Sequence, residues 1–313
     1  MPYLTVRSPF SLAATALSHG WHECSPLSWS HGGRCLQFIE RWKNRAYRVS
    51  VTEIGKKKDT IRLNLEIDGG PVDDEMQGVF VERIEYALDL QRDLTPLHIA
   101  CSGHSTLNIL PKIGAGRVMR SASFAETIVK TICSTNVNWT QAVKMINRLG
   151  QLGPPVRHFV NLTAWPTPRE ILKAGEEYLR DVCRLGYRVP FIMKFCRDVC
   201  DGKVDPDDWV RQAADPTVDS DTLLAQLRGM DGIGPSSSHF LLTMLGRFDR
   251  LILDSASIPH VARTHFNGRK PSIREIERVY EPYGEWKNLV LWFEHWLNWQ
   301  TARNLLAEYE RNG

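Results

Sequence analysis

The chain has 313 residues, is 42% hydrophobic and 24% charged, and carries 39 basic against 36 acidic side chains, for a net charge of +3. That composition excludes a disordered or fibrous chain, and no apolar run approaches the roughly 18 residues a spanning helix needs. The charge is too small to identify a partner by itself. Seven cysteines without regular spacing read as reduced thiols, and the opening MPYLTVRSPF lacks the apolar stretch of a signal peptide. The expectation is a cytoplasmic protein, or a nuclear one in a eukaryote, with no membrane segment.

Length predicts two domains, or one large one with an appendage, and the patterning divides the chain near residue 92 into an α+β fold. In residues 1–92, Ile61, Leu63, Leu65 and Ile67 alternate with polar side chains, the period of a half-buried strand. Tyr47 to Ile54 supplies a partner strand, Gly55 with Lys56, Lys57 and Lys58 the turn, and Asp68-Gly69-Gly70 the close. From Asp74 to Leu90 the pattern turns helical, with Met76, Phe80, Ile84 and Leu88 four apart. This predicts a small antiparallel sheet with a helix packed on it.

Residues 93–313 read as nearly all helix. Phe124, Ile128, Ile132 and Cys133 share a face introduced by Ser121 or Ser123, and Val143, Ile146 and Leu149 mark the next helix. Leu179, Val182 and Leu185 form another, stopped near Gly186. Six aspartates and two prolines between Val204 and Asp221 predict a solvated connector, placed away from any anionic ligand. A final helix around Trp286 to Tyr309 carries Trp292, Trp296 and Trp299 at i, i+4 and i+7, either a core stripe or in part the wall of an aromatic pocket. His22, Cys24, His31 and Cys35 have the atom types for zinc at a loose spacing, so no metal site is expected. Cys196 and Cys200 share a helix face and read as core.

The most informative segment is 221–246. A short helix marked by Leu223, Leu224 and Leu227 ends at Arg228-Gly229; Met230-Asp231-Gly232-Ile233-Gly234 follows, and Pro235 opens a second helix with Phe240, Leu241, Met244 and Leu245 toward the core. Two glycines permit a tight hairpin and let a phosphate approach the backbone, where N–H groups and the helix start form an anion site without a lysine. This is the pattern of a helix-hairpin-helix motif that grips a sugar-phosphate chain and reads no bases. Carbonyls of such a turn can also hold a monovalent cation.

After the second helix, Gly246-Arg247-Phe248-Asp249-Arg250 and Leu251-Ile252-Leu253 lead into Asp254, twenty residues past Gly234. The chain thereby resembles the helix-hairpin-helix (HhH-GPD) DNA glycosylases, which include 3-methyladenine DNA glycosylase II, 8-oxoguanine DNA glycosylase and endonuclease III. The resemblance implies that Asp254 is the essential carboxylate; read from its neighbours alone, it also suits a helix cap. Residues 124–138 resemble the helix and Asn-bearing turn of the 8-oxoguanine branch, which would make Asn136 the filler of the gap left by an extruded nucleotide. Leu185-Gly186-Tyr187-Arg188 resembles that branch's Gly-Tyr-Arg segment, implying that Tyr187 wedges into the duplex and Arg188 contacts the widowed base. Capping or packing for Asn136 and core packing for Tyr187 are the plainer alternatives. The N-terminal sheet resembles the TATA-binding-protein-like domain of two of these subfamilies.

One departure bears on chemistry. Members with lyase activity carry a lysine two residues past the last hairpin glycine; here Ser236 stands there, and no lysine occurs between Lys203 and Lys270. A hydroxyl cannot form an imine, so the expected reaction is monofunctional hydrolysis, with Asp254 stabilising the oxocarbenium-like sugar and orienting water. The expected partner is double-stranded DNA containing a damaged base, met by a monomer through Gly232, Gly234, Ser236, Asn136, Tyr187 and Arg188. Trp292, Trp296 and His239 are the expected base pocket; His239 suits pocket or interior equally. Aromatic walls and the absent lysine favour an alkylated purine, whereas Asn136 and the Gly-Tyr-Arg segment lean toward 8-oxoguanine; a deaminated base and a non-catalytic damage-binding module are the remaining alternatives. No cysteine follows Cys200, so no iron–sulfur cluster, and no other cofactor, is expected. Lys112, Arg117, Arg120 and Lys130 form a basic segment that either contacts phosphates or is ordinary surface.

Overall fold

Alternating apolar side chains build the first third of the molecule. In the computed structural model, which describes residues 3–57 and 59–312, β1 (Tyr3–Arg7), β2 (Leu27–Ser30), β3 (Cys35–Trp42), β4 (Arg45–Lys57) and β5 (Thr60–Asp68) form one antiparallel sheet in the order β1-β5-β4-β3-β2. Val6 pairs with Ile61, Val51 with Leu65 and Phe38 with Val49, so each register puts two apolar residues on the same face. Ile61, Leu63 and Leu65 are buried, as the period of two requires.

β4 does not stop at Gly55. It runs on to Lys57, with a register shift between Glu53 and Gly55 where Gly55 takes φ +134°. The glycine expected to turn the chain instead makes a bulge inside the strand; Lys58, the last residue of the expected turn, lies outside the described residues.

After α1 (Leu12–Ala16), α2 (Asp74–Ala87) buries Met76, Phe80 and Ile84 completely, and Phe80 meets Tyr47 of the sheet with ring centroids 5.9 Å apart. Asp73 accepts the Met76 N–H at 2.8 Å and starts the helix. Each such buried side chain contributes about 1.5–3 kcal/mol.

The rest is helical: α3 (Thr95–Ala100), α4 (Phe124–Ser134), α5 (Trp139–Gly150), α6 (Pro168–Asp181), α7 (Val189–Cys200), α8 (Pro206–Ala214), α9 (Ser220–Arg228), α10 (Pro235–Met244), α11 (Ser257–His265), α12 (Ile273–Tyr280), α13 (Lys287–Trp296) and α14 (Gln300–Asn312). On α4, Phe124, Ile128, Ile132 and Cys133 are buried, and Ser123 rather than Ser121 caps the helix by accepting the Glu126 N–H. Val182 departs from its expected face: it ends α6 and is exposed, while Leu179 and Leu185 are buried.

Half of the aspartate-rich stretch is helix α8, and its end caps and starts α9, so only the short link between them is a connector. Asp205 caps α8, and Asp207 and Asp208 occupy its first turn, where negative charge meets the positive end of the helix dipole; Trp209 anchors it in the core. The last predicted helix is two, broken at residues 297–299 between α13 and α14. Buried apolar residues from both sides of residue 92 join one cluster, and the Trp292 and Trp296 indoles donate to the carbonyls of Ser18 and Leu17, each at 2.9 Å. Among the described residues, no helix is long and apolar enough to cross a membrane.

Candidate nucleic-acid interface and active site

The hairpin follows from three residues of contrasting size. Between α9 and α10 the chain turns through Met230–Gly234, closed by the Ile233 N–H on the Met230 carbonyl at 3.2 Å, with the Ile233 side chain buried beneath. Gly232 takes φ +84°, and a Cβ there would lie 2.7 Å from the Phe191 ring, so only glycine fits. Gly234 is different: its φ is −88°, nothing stands within 4 Å of where a Cβ would go, and it caps α10 without a side-chain bond. The first N–H groups of α10 therefore begin at an open, exposed glycine.

Ser236 joins this hairpin to Asp254. Its Oγ donates to the Leu253 carbonyl at 2.6 Å, while the Ile252 N–H donates to Asn288 Oδ1 at 2.8 Å. The segment 251–253 is thus tied to α10 and α13 and delivers Asp254 beside the hairpin helix. Asp254 Oδ1 accepts the N–H groups of Ala256 and Ser257 at 2.9 and 2.8 Å, and its own N–H donates to Ser257 Oγ at 2.9 Å. The carboxylate braces the turn that leads into α11, much as a cap would, yet it is only half-buried, and among the described residues Oδ2 takes no protein hydrogen bond. One oxygen holds the helix and the other is free for chemistry.

His239 is held through both ring nitrogens. Its Nδ1 meets the Leu251 carbonyl at 2.7 Å, and Arg228 donates to Nε2 at 2.9 Å, so Nδ1 carries the proton and both ring nitrogens are engaged. Burial, with the charges of Arg228 and Arg250, lowers its pKa. His239 braces the segment that leads to Asp254.

Asn136, Tyr187 and Arg188 come together although 51 residues separate the first two. Asn136 has φ +47° and donates from Nδ2 to Tyr187 Oη at 3.3 Å; Tyr187 Oη donates to the Thr135 carbonyl at 3.3 Å and is 51% exposed. Arg188 is buried, donates to the same carbonyl and lies 4.6 Å from the Tyr187 ring centroid. Its guanidinium helps to hold the turn and is 6% exposed in the chain without DNA.

Beside this turn stands a cluster of rings that the sequence did not reveal. His19 packs on Phe240 and Trp292 with centroids 5.3 and 5.4 Å away and planes tilted by only 32° and 30°, and Phe240 and Trp292 stack at 6.3 Å. Trp21 and Trp139 complete it, 5.8 Å apart, and Trp139 covers Gly20 so closely that a Cβ there would collide with the indole. Phe240 is one turn beyond Ser236, and Trp139 follows Asn136 by three residues, so the rings adjoin both the hairpin helix and the exposed turn. His19 Nδ1 accepts the Trp21 N–H at 3.3 Å; burial first, then His22 and Lys130, lower its pKa to about 3, keeping the ring neutral. Trp292 belongs to this cluster. Trp296 does not: it is completely buried and only its indole N–H is engaged, so it is core.

The basic segment is largely interior. Arg117 and Arg120 are buried around Asp89, Lys130 is fully buried against Glu126 at 2.6 Å between the rings of Trp21 and Trp165, and only Lys112 is exposed. Arg120 and Lys130 are in ion pairs inside the protein and Arg117 donates to the backbone carbonyls of Asp89 and Arg92, so three of the four side chains are not offered to a phosphate. Among the described residues no three His, Cys, Asp or Glu side chains are grouped to hold a metal ion; Cys24 is buried and His22 bonds the His19 carbonyl. A cavity of about 220 Å³ lies elsewhere, between β3 and the starts of α4 and α6, and none of the expected site residues lines it.

No family model and no curated protein matches the chain. Solved structures do. The 3-methyladenine DNA glycosylase from Archaeoglobus fulgidus superposes with a TM-score of 0.75 at 20% identity, over 95% of this chain and 98% of that one. MBOgg1 in complex with a low-affinity DNA ligand gives 0.72 at 20% identity over 97% and 96%. The Clostridium acetobutylicum 8-oxoguanine glycosylase/lyase, bound to double-stranded DNA containing cytosine opposite 8-oxoguanine, gives 0.70 at 16% identity over 94% of each. Over nearly its whole length, the chain has the fold that these DNA glycosylases share.

Proposed function

We propose that the protein is a monofunctional DNA glycosylase that extrudes an alkylated purine from duplex DNA and hydrolyses its N-glycosidic bond. The observation that carries this is the 2.6 Å bond from Ser236 to the Leu253 carbonyl, which couples the hairpin to a half-buried Asp254 with one free carboxylate oxygen. The N–H groups at Gly234 grip the sugar-phosphate chain of the strand, and Asn136 with Tyr187 enters the space the base leaves. Extrusion costs a few kcal/mol, least where pairing is already weakened. As the C1′–N bond breaks, its electron pair leaves with the base; the Asp254 carboxylate stabilises the positive sugar, and water adds to C1′ while Asp254 takes its proton. With serine at position 236 no imine forms, and the abasic strand stays intact. In this reading the reaction draws on no cofactor.

The ring cluster supports the choice of base. Phe240 and Trp292 are only partly buried and offer aromatic surface, and the buried His19 packed against both adds no positive charge near neutral pH, so a flat cationic alkylpurine gains stacking and cation–π attraction. The constellation of Asn136 and Tyr187 favours 8-oxoguanine as the second reading.

The test is a base-release panel at neutral pH: duplexes with single alkylated, oxidised and deaminated bases, scored with and without alkali. Release of an alkylpurine with strand breaks only after alkali is expected. Release of 8-oxoguanine instead would select the second reading, and breaks without alkali would refute monofunctional chemistry. Tight DNA binding with no release from any duplex would establish a binding module.

A further inference from the structure

Helix α13 carries two buried polar side chains that this chemistry does not use. Asn288 is 1% exposed; its Oδ1 accepts the Ile252 N–H and its Nδ2 donates to Thr243 Oγ1, both at 2.8 Å. It ties the segment before Asp254 to the hairpin helix α10. Six residues on, Glu294 is buried and collects donors from three other segments. Tyr280 Oη, at the end of α12, lies 2.6 Å away; His260 and His265 of α11 reach it through Nε2 at 3.1 and 3.0 Å, and His104 through Nε2 at 3.2 Å. Burial alone would raise this carboxyl, but the bonds from His260, Tyr280 and His265 outweigh it and hold the group down at about 2.

These bonds converge on one element. α11 is entered through a turn that rests on Asp254, by the N–H groups of Ala256 and of Ser257, its first residue. Its later turns rest on Glu294 through His260 and His265. Asn288 holds the residue two before Asp254, and Glu294 holds the residue six after it. Trp292, on the same α13, stands in the ring cluster.

We propose that Asn288 and Glu294 are positioning residues: one helix fixes the Asp254 carboxylate from both flanks and at a set distance from the aromatic wall. For its catalytic consequence the inference rests on the glycosylase reading; its structural consequence stands without it. A displacement of about 1 Å at a reacting group lowers rates about a hundredfold.

Glu294→Gln tests this, because an amide presents one acceptor and one donor pair where four donors now meet a carboxylate. Amide hydrogen exchange at Ala256 and Ser257 is expected to quicken at least tenfold, with residues 236–244 of α10 unchanged. Single-turnover base release is expected to slow about thirtyfold or more, with DNA affinity within twofold of the parent. Unchanged exchange at Ala256 and Ser257 would overturn the proposal whatever the activity. Faster exchange with unaltered release, or release and affinity falling together, would overturn the positioning role. A parent protein that releases no base from any duplex refutes the glycosylase reading, and the exchange experiment still decides whether α13 fixes Asp254. If Glu294→Gln does not fold, Tyr280→Phe removes one donor and keeps the carboxylate; it is read in the same way, with about threefold effects expected.

Discussion

Replacing Asp254 by asparagine separates the two tasks of that side chain. Asparagine keeps the Oδ1 acceptor that receives the Ala256 and Ser257 N–H groups, and it caps helices about as well as aspartate. What the fold loses is the charge–dipole attraction at the start of α11, about 0.3–1 kcal/mol, so Tm should fall by no more than about 3 °C. The reaction loses much more. A preorganised group facing developing charge contributes on the order of 3–4 kcal/mol, so excision should slow by about 10²–10³. The assay is single-turnover release from the best duplex of the panel, with DNA affinity measured in parallel and expected to stay within twofold. Excision within tenfold of the parent would refute the assignment and leave Asp254 a cap. Asp254→Ala supplies the contrast, since it removes the cap as well and should cost about 0.5–2 kcal/mol of stability.

Ser236→Lys puts an amine where the hydroxyl now meets the Leu253 carbonyl, and it should create a borohydride-trappable adduct with abasic DNA that the parent lacks; trapping of the parent itself would sink the monofunctional reading. Gly234→Ala has an ordinary φ and open space, so stability should be unchanged while the added methyl obstructs the phosphate and weakens DNA binding about tenfold; equal affinity would dissociate the hairpin from DNA. His19 carries a pH signature. Burial lowers its folded pKa to about 3 from 6.5, so its contribution to stability is full above pH 6.5 and is lost as pH falls below it. Denaturant unfolding at pH 7.5 and 5.5 should differ by about 1.4 kcal/mol from this residue. His19→Gln should remove that difference, and parallel pH curves for parent and variant would contradict a neutral buried ring.

The features legible in the sequence are the local ones. The hairpin and Asp254 lie within 35 residues, and their glycines, proline and spacing carry the geometry directly. Met76, Phe80 and Ile84 announce their burial by period alone. The ring cluster gave no such signal, because His19, Trp139, Phe240 and Trp292 are far apart in the chain and only tertiary packing joins them. Lys130 and Arg120 look like surface charge until Glu126 and Asp89 are found beside them in the interior. The run of aspartates is solvated as its charge suggests, and misleads only on conformation: Asp205, Asp207 and Asp208 sit at the cap and first turn of α8, where negative charge is favoured. Trp296 and Trp292 share a periodicity, yet one is sealed in the core and the other borders the rings. Helical spacing cannot distinguish them.

The short run from Asn136 to Trp139 couples two parts of the candidate site mechanically. Three residue steps span at most about 11 Å even when fully extended, so the backbone of the exposed turn and that of the ring-cluster indole are carried by one short stretch, which ends in the Asn138 cap of α5. On the proposed reading, a substitution that shifts this cap moves the side chain entering the duplex and the indole bordering the rings together.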